Sequence, residues 1–200
     1  MIIHNVAQGS QEWIDLRAGR FTATDASALK TAGKGLETIA LEKAVWWLTG
    51  EPAERNFETP AMAWGKEWEP VAAEEYQKTV WQEVTEVGFC ELDEYAGCSP
   101  DRLVGDDGLC EIKCKQPKNH LQTVLTGKID SAHYGQMQFQ LLVTGRKWCD
   151  YVCFCPFFKE KLFVKRVFPD KEYQEAILEG LKKGKELIEM YIKQYQEAYK

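Results

Sequence analysis

Near residue 80 the spacing of the apolar residues changes period, and that change limits the folds open to the chain. From about 10 to 78 the apolar positions recur at helical spacing in four stretches, SQEWIDLRAG, TATDASALKTAG, ETIALEKAVWWLTG and TPAMAWGKEWEPVAAEEYQ. Each begins near Ser or Thr, or closes on Gly, as helices do. From about 82 to 115 the pattern becomes short runs rich in Val, Phe, Tyr and Cys, broken by turn residues, as in EVTEVGFCEL, YAGCSP and GLCEIKC. GDDG at 105–108 predicts a hairpin turn, because Asp and Gly tolerate the left-handed backbone that such a turn needs. Helical spacing returns over roughly 117 to 145, and KWCDYVCFCPF and EKLFVKRVF then alternate as two further strands. Residues 170–200 read as one long amphipathic helix capped by Asp170, with Ile177, Leu181, Ile188, Tyr191, Ile192 and Tyr195 as its apolar stripe. The expected fold class is therefore α/β in the broad α+β sense: a mixed β-sheet flanked by helices. No repeat, low-complexity segment or Gly/Ser/Pro linker divides the chain, so a single domain over 1–200 is expected.

Composition narrows the function classes. At 44% hydrophobic and 12% aromatic, 200 residues suffice for a substantial core. No apolar run approaches the roughly 18–20 residues of a membrane span, and the first residues lack the pattern of a secretory signal, so a soluble cytoplasmic protein with no membrane partner is expected. Seven cysteines, an odd number scattered along the chain, read as buried reduced thiols rather than a disulfide framework. A net charge of −6 argues against a surface coated with nucleic-acid-binding charge. It leaves room for a metal-dependent nuclease, whose site carboxylates count as negative until a cation neutralises them. Basic residues cluster locally at Lys113, Lys115 and Lys118, and again at Lys159, Lys161, Lys165 and Arg166, although most such runs are solvated faces.

The stretch GCSPDRLVGDDGLCEIKCKQ, 97–116, holds the chemistry. Side chains alternate faces along a strand, so Glu111 and Lys113 share one face while Cys110, Ile112 and Cys114 share the other. The GDDG turn folds Asp101 back beside Glu111, so the two carboxylates can converge. Two hard oxygen ligands suit Mg²⁺ or Mn²⁺, ions that keep several waters and take phosphate oxygens into their shell. Lys113 beside them can orient a water or compensate charge in a pentavalent transition state, which together describes phosphodiester hydrolysis. The plainer reading is a hairpin whose Asp, Glu and Lys form a partly exposed ion pair.

SPD, nine residues, then EIK, all following a helical WGKEWEP, resembles the PD-(D/E)xK nuclease superfamily and in particular the phage lambda exonuclease family of viral recombinases. EWIDLRAGRFTATDAS, AMAWGKEWE, GCSPD, GLCEIKC and YGQMQFQLLVTG extend the resemblance in order from about Trp13 to Val143. It implies a restriction-endonuclease-like fold. It further implies that Asp101, Glu111 and the main-chain carbonyl of Ile112 bind the catalytic metal, that Glu69 helps hold a second ion, and that Lys113 is the catalytic lysine. Two Mg²⁺ ions are implied, with Mn²⁺ as a substitute. Arg17, Thr24, Ser99 and Gln136 resemble the family's pocket for a terminal 5′-phosphate, a role that an arginine fork and neutral donors suit. The family usually carries Ser where Thr24 stands. Without the family, Thr24 reads as a helix cap, Arg17 as a partner of Asp15 or Glu12, and Glu69 as a surface acid. Gln136 and Gln140 share a helix face, and Phe139 or Gln140 occupies the neighbourhood in which relatives often carry a tyrosine. Met62 sits where the family places an apolar wedge that parts the duplex, although a core methionine reads equally well.

The activity so implied is a metal-dependent 5′-to-3′ exonuclease that acts on linear double-stranded DNA and leaves 3′ single-stranded tails. A ring-shaped homotrimer around the DNA and a single-strand annealing recombinase partner are implied with it. The rivals are a structure-specific or restriction-type endonuclease and a non-catalytic DNA-end-binding module. Trp13, Trp46, Trp47, Trp64 and Trp68 read mostly as core, like Cys149, Cys153 and Cys155, and a zinc set of His120 with Cys98, Cys110 and Cys114 lacks a knuckle turn.

Overall fold

In the computed structural model, which describes residues 1–53 and 59–200, the chain opens with a short strand, β1 (Ile2–His4), and then α1 (Gln11–Arg17). A single 3-10 turn at Ala23–Asp25 leads into α2 (Ala26–Thr31), α3 (Lys34–Thr49) and α4 (Pro60–Gln77). Five strands follow: β2 (Val84–Thr85), β3 (Phe89–Asp93), β4 (Ala96–Cys98), β5 (Arg102–Val104) and β6 (Gly108–Cys114). α5 (Pro117–Thr126) and α6 (Ser131–Thr144) connect them to β7 (Trp148–Phe154) and β8 (Leu162–Val167), and α7 (Lys171–Ala198) closes the chain. Helix starts follow the capping logic of the sequence. Ser10 accepts from the Trp13 amide, Thr59 from Met62 with Pro60 behind it, and Asp170 from Tyr173.

The main sheet runs β2-β5-β6-β7-β8, antiparallel except for the parallel pair β6–β7. Parallel neighbours cannot be joined by a tight turn, and α5 with α6 supplies the crossover. β7 is buried along its whole length because helices cover both faces. Cys110, Ile112, Trp148, Val152 and Phe154 pack against Ala72, Ala73 and Tyr76 of α4, while Leu109, Cys149, Tyr151 and Cys153 pack against Met137 and Leu141 of α6. The alternation read from GLCEIKC is thus the one the sheet uses.

The sequence predicts one mixed sheet; the structure has two. β1, β3 and β4 form a separate three-stranded antiparallel sheet, with Ile2 opposite Glu91 and Cys90 opposite Cys98. Pro100, between β4 and β5, has no amide hydrogen to continue a ladder, and the chain changes sheets there. A third apolar cluster joins Phe21, Leu29, Leu36, Ala40, Phe139, Ile177 and Ile188, where α7 crosses α2 and α3. The crossing needs glycine: a Cβ on Gly180 would run into the Leu29 carbonyl, and one on Gly184 would lie 2.6 Å from the Phe21 ring. Tyr195, the last residue of the expected apolar stripe, is exposed beyond this contact. All seven cysteines are free thiols, six of them buried, in keeping with a reduced core.

α4 is fastened to the sheet by a buried polar lock. The Tyr76 hydroxyl donates to Oδ2 of Asp150 at 2.7 Å, and Arg166 donates to both Asp150 oxygens at 2.8 and 2.9 Å. The Arg166 guanidinium lies 3.6 Å from the centre of the Trp148 ring. This lock fixes the helix that forms one wall of the site.

Candidate active site

The β5–β6 hairpin turns at GDDG, as its residues predict. Its register sets Arg102 opposite Cys110 and so brings Asp101 alongside Glu111 and Ile112. The Ile112 amide donates to Oδ2 of Asp101 at 2.6 Å, which fixes that carboxylate against the neighbouring strand. Glu111 is buried, and both its oxygens are engaged. Oε1 lies 2.5 Å from the Lys113 ammonium, and Oε2 accepts from the Gln140 amide at 2.6 Å. Asp101, Glu111 and Lys113 therefore form one cluster. In the sequence Gln140 stands out by sharing a helix face with Gln136 and by its place near the family's tyrosine; its target is invisible until α6 packs on β6.

Glu69 reaches the same place from α4, one residue before Pro70, and is held by Arg102 at 3.1 Å. Arg102 is buried, also contacts Glu86 at 3.3 Å, and donates to the Asp101 carbonyl. Nothing in the pattern SPDR set this arginine apart from a surface residue, yet it ties Glu69 to the Asp101 backbone. Burial, and then the nearby Glu111 carboxylate, push the Asp101 pKa well above the ordinary range. Burial works against the Lys113 ammonium, but Glu111 and Asp101 outweigh it and raise its pKa, so it remains charged. A buried carboxylate and a half-buried one beside a single ammonium make a site that favours an additional cation.

A cleft of about 480 Å³ opens over this cluster, lined by Met62, Trp64, Glu69, Asp101, Lys113 and His133. Met62 is 51% exposed on the first turn of α4, so the core reading of this methionine fails. His133, unremarked in the sequence, stacks on Tyr151 at 5.9 Å between ring centres. Burial first, then the Lys113 and Lys115 charges, lower its pKa to about 4, so the ring is neutral at physiological pH.

The four residues assigned to a phosphate pocket are arranged in two pairs. The Arg17 guanidinium lies 4.3 Å from the centre of the Trp13 ring, and the Trp13 indole donates to Ser99 Oγ at 2.9 Å, so Arg17 and Ser99 meet on one indole. Burial lowers the Arg17 pKa, while Asp25 and Cys98 oppose that shift. Thr24 sits on the 3-10 turn with its hydroxyl 3.0 Å from that of Thr22; the turn itself is closed by Asp25, which accepts from the Thr22 amide. Gln136 lies on α6, which packs against that turn, and its side-chain oxygen is buried with no partner among the described residues. Among the described residues no hydrogen bond joins Thr24 or Gln136 to the group around Trp13.

Among the described residues, no three His, Cys, Asp or Glu side chains are placed together to hold a metal ion, and His120, Cys98, Cys110 and Cys114 form no such group. The donors present are hard oxygens: Asp101 and Ile112 line the open cleft, and the Glu111 carboxylate lies buried beside them. That set fits Mg²⁺ or Mn²⁺, which retain water and accept phosphate oxygens, and does not fit a structural zinc.

A family model for the YqaJ-like viral recombinase domain matches residues 12–147, well over half of the chain. The chain belongs to that family. The match spans the whole site, from Trp13 to Gln140. In three dimensions this YqaJ-like domain resembles the alkaline exonuclease of Laribacter hongkongensis, with a TM-score of 0.86 and 32% identity over 95% of this chain and 98% of that one. The same exonuclease in complex with dAMP matches at a TM-score of 0.86 and 31% identity, with the same coverage. A phage-related exonuclease from Haemophilus somnus 129PT shares the fold, with a TM-score of 0.69 at 13% identity over 88% of this chain and 96% of that one. A search of curated proteins finds no significant match. None of the helices in the described residues is long and apolar enough to cross a membrane.

Proposed function

We propose that the protein is a Mg²⁺-dependent exonuclease that degrades the 5′-ended strand of linear double-stranded DNA and leaves 3′ single-stranded tails for recombination. Family membership and the likeness to an alkaline exonuclease imply a DNA exonuclease. The observation that carries the reading further is the Asp101–Glu111–Lys113 cluster, held by the β5–β6 hairpin at the floor of an open cleft. Asp101, Glu111 and the Ile112 carbonyl would hold a metal, with Glu69 toward a second ion, and the metal would supply Lewis-acid polarisation of the phosphodiester. Lys113, charged and fixed on Glu111, orients the attacking water and offsets charge that develops on the phosphorus oxygens. Gln140 holds the Glu111 carboxylate in place.

Arg17 and Ser99 on Trp13, with Thr24 and Gln136 on the facing elements, receive the terminal 5′-phosphate, and the half-exposed Met62 wedges the end of the duplex. The relative's complex with dAMP is consistent with a nucleotide as ligand. A homotrimeric ring around the DNA makes digestion processive and reconciles an acidic exterior with a basic channel. A single-strand annealing recombinase then takes up the 3′ tail in the cytoplasm.

The test is nucleotide release from linear and closed-circular duplex of one sequence, with Mg²⁺ and with EDTA. Metal-dependent release from linear DNA alone is expected. Cutting of the circle would replace the exonuclease with an endonuclease, and binding to ends without release would replace it with an end-binding module.

A further inference from the structure

Four aromatic rings run in file from the core of the sheet to the surface beside the catalytic cleft. Phe154 at the end of β7 lies 6.2 Å from Trp68, Trp68 lies 5.6 Å from Trp64, and Trp64 lies 6.0 Å from Phe157. The last two rings are inclined by only 33°. Trp64 lines the cleft that contains Asp101 and Lys113, and its indole N–H is buried with no hydrogen-bond partner among the described residues. Phe157, in the turn that joins β7 to β8, is 69% exposed, so one side of the file ends in water. Its neighbour Phe158 turns the other way and packs on His120 of α5 at 4.9 Å. The turn therefore straddles the two helices, α4 and α5, that flank the cleft.

An exposed phenylalanine costs hydration free energy, and Phe157 belongs to none of the three core clusters of the described residues. Its surroundings select the occupant. Lys66 and Lys115 line the same cleft as Lys113, which Glu111 holds, beside the carboxylates of Glu69 and Asp101, and Lys159 is exposed two residues after Phe157. Aromatic faces set among ammonium groups are the pattern that takes single-stranded nucleic acid, bases stacking on rings while the cations follow the phosphates. A bare apolar protein segment would find no use for those charges, and a duplex has its bases stacked on one another.

We propose that Phe157 and Trp64 form a stacking shelf for an unpaired nucleobase of the strand that enters the cleft. The shelf lies beside Met62, so it receives a base as soon as the duplex end is parted, and it stops the strand from re-pairing. This rests on the exonuclease reading and adds to it a base contact that tolerates any sequence, because every base has a π-face.

The test uses a duplex with a 5′-phosphorylated, unpaired three-nucleotide end that carries 2-aminopurine, with the full chain in EDTA so that the strand stays intact. Wild type is expected to quench the fluorophore on binding. Phe157→Ala is expected to lose the quench and to weaken binding about 5- to 150-fold. Phe157→Tyr keeps both, whereas Phe157→Leu, equally apolar but without a ring, keeps neither. Melting temperatures equal to wild type exclude unfolding of these surface variants. Binding without a quench in wild type, or Phe157→Leu behaving as wild type, overturns the shelf. Nucleotide release by wild type from linear DNA with Mg²⁺ is measured alongside: an active enzyme indifferent to Phe157 loses the shelf alone, and an inactive one loses the exonuclease reading with it.

Discussion

Replacing Tyr76 by Phe removes one oxygen from the core and tests the lock that fixes α4. Tyr76 is fully buried, and its hydroxyl donates at 2.7 Å to Asp150, a buried carboxylate. A hydrogen bond to a charged group contributes about 1.5–3 kcal/mol, and the ring itself stays packed in Tyr76→Phe. For a domain of this size each kcal/mol moves Tm by about 2–4 °C, so a fall of roughly 3–12 °C is expected. Asp150→Ala should cost more, toward about 3–5 kcal/mol, because it strands the Arg166 charge as well as the hydroxyl. The value should lie near the lower end, since the Arg166 side chain is 43% exposed and can turn to water. Urea unfolding followed by circular dichroism gives both numbers. A second readout follows from pH. Burial first, then the bond to Asp150, push the Tyr76 pKa upward, so the phenol remains protonated in the fold while an unfolded tyrosine ionises near 10. A raised folded pKa contributes stability that is present below the unfolded value and lost as pH climbs above it. The gap between wild type and Tyr76→Phe should therefore narrow above about pH 10. A Tm for Tyr76→Phe within about one degree of wild type, with no narrowing, would refute the charge-assisted lock.

The other predictions concern the cleft, the phosphate pocket and the helix crossing. His133 has a depressed pKa, about 4 against 6.5, so its neutral form contributes stability above 6.5 that is lost as pH falls toward 4. Wild type should lose up to about 3 kcal/mol over that window that His133→Gln does not, as read by urea melts from pH 7 to 4; equal losses would reject the assignment. Arg17→Ala should remove the preference for 5′-phosphorylated over 5′-hydroxyl ends without lowering release from hydroxyl ends by the same factor, as measured by nucleotide release from the two substrates. In Gly180→Ala, helix propensity favours alanine by about 1 kcal/mol, but the new Cβ meets the Leu29 backbone. The clash should win, for a net loss of about 1–3 kcal/mol by thermal melt, and a stabilised variant would contradict the close crossing.

Much of this was legible in local sequence. Before residue 80 the apolar spacing is helical and Ser10 and Thr59 cap α1 and α4, and GDDG fixes a hairpin whose register follows from strand geometry. That register alone brings Asp101 beside Glu111. What local pattern could not supply was any contact between segments far apart in the chain. Gln140 finds Glu111 across 29 residues, and Arg102 finds Glu69 across 33, because α6 and α4 pack on opposite faces of β6. The β1–β3 pairing was missed for the same reason: three residues at the start of the chain carry no periodic signal, and their partner lies almost 90 residues away. Met62 and Trp64 differ by two positions on one helix, yet both reach the cleft, which a helical-face argument alone would not predict.

The central claim is that Asp101, Glu111 and Lys113 hydrolyse phosphodiester bonds at a DNA end. The most direct measurement is nucleotide release from 5′-phosphorylated linear duplex with Mg²⁺, for wild type, Asp101→Ala and Lys113→Ala, each checked for folding by circular dichroism and for end binding by fluorescence anisotropy. Folded variants that bind ends but release no nucleotide, beside an active wild type, are the predicted result. Full release by purified Lys113→Ala or Asp101→Ala would contradict it.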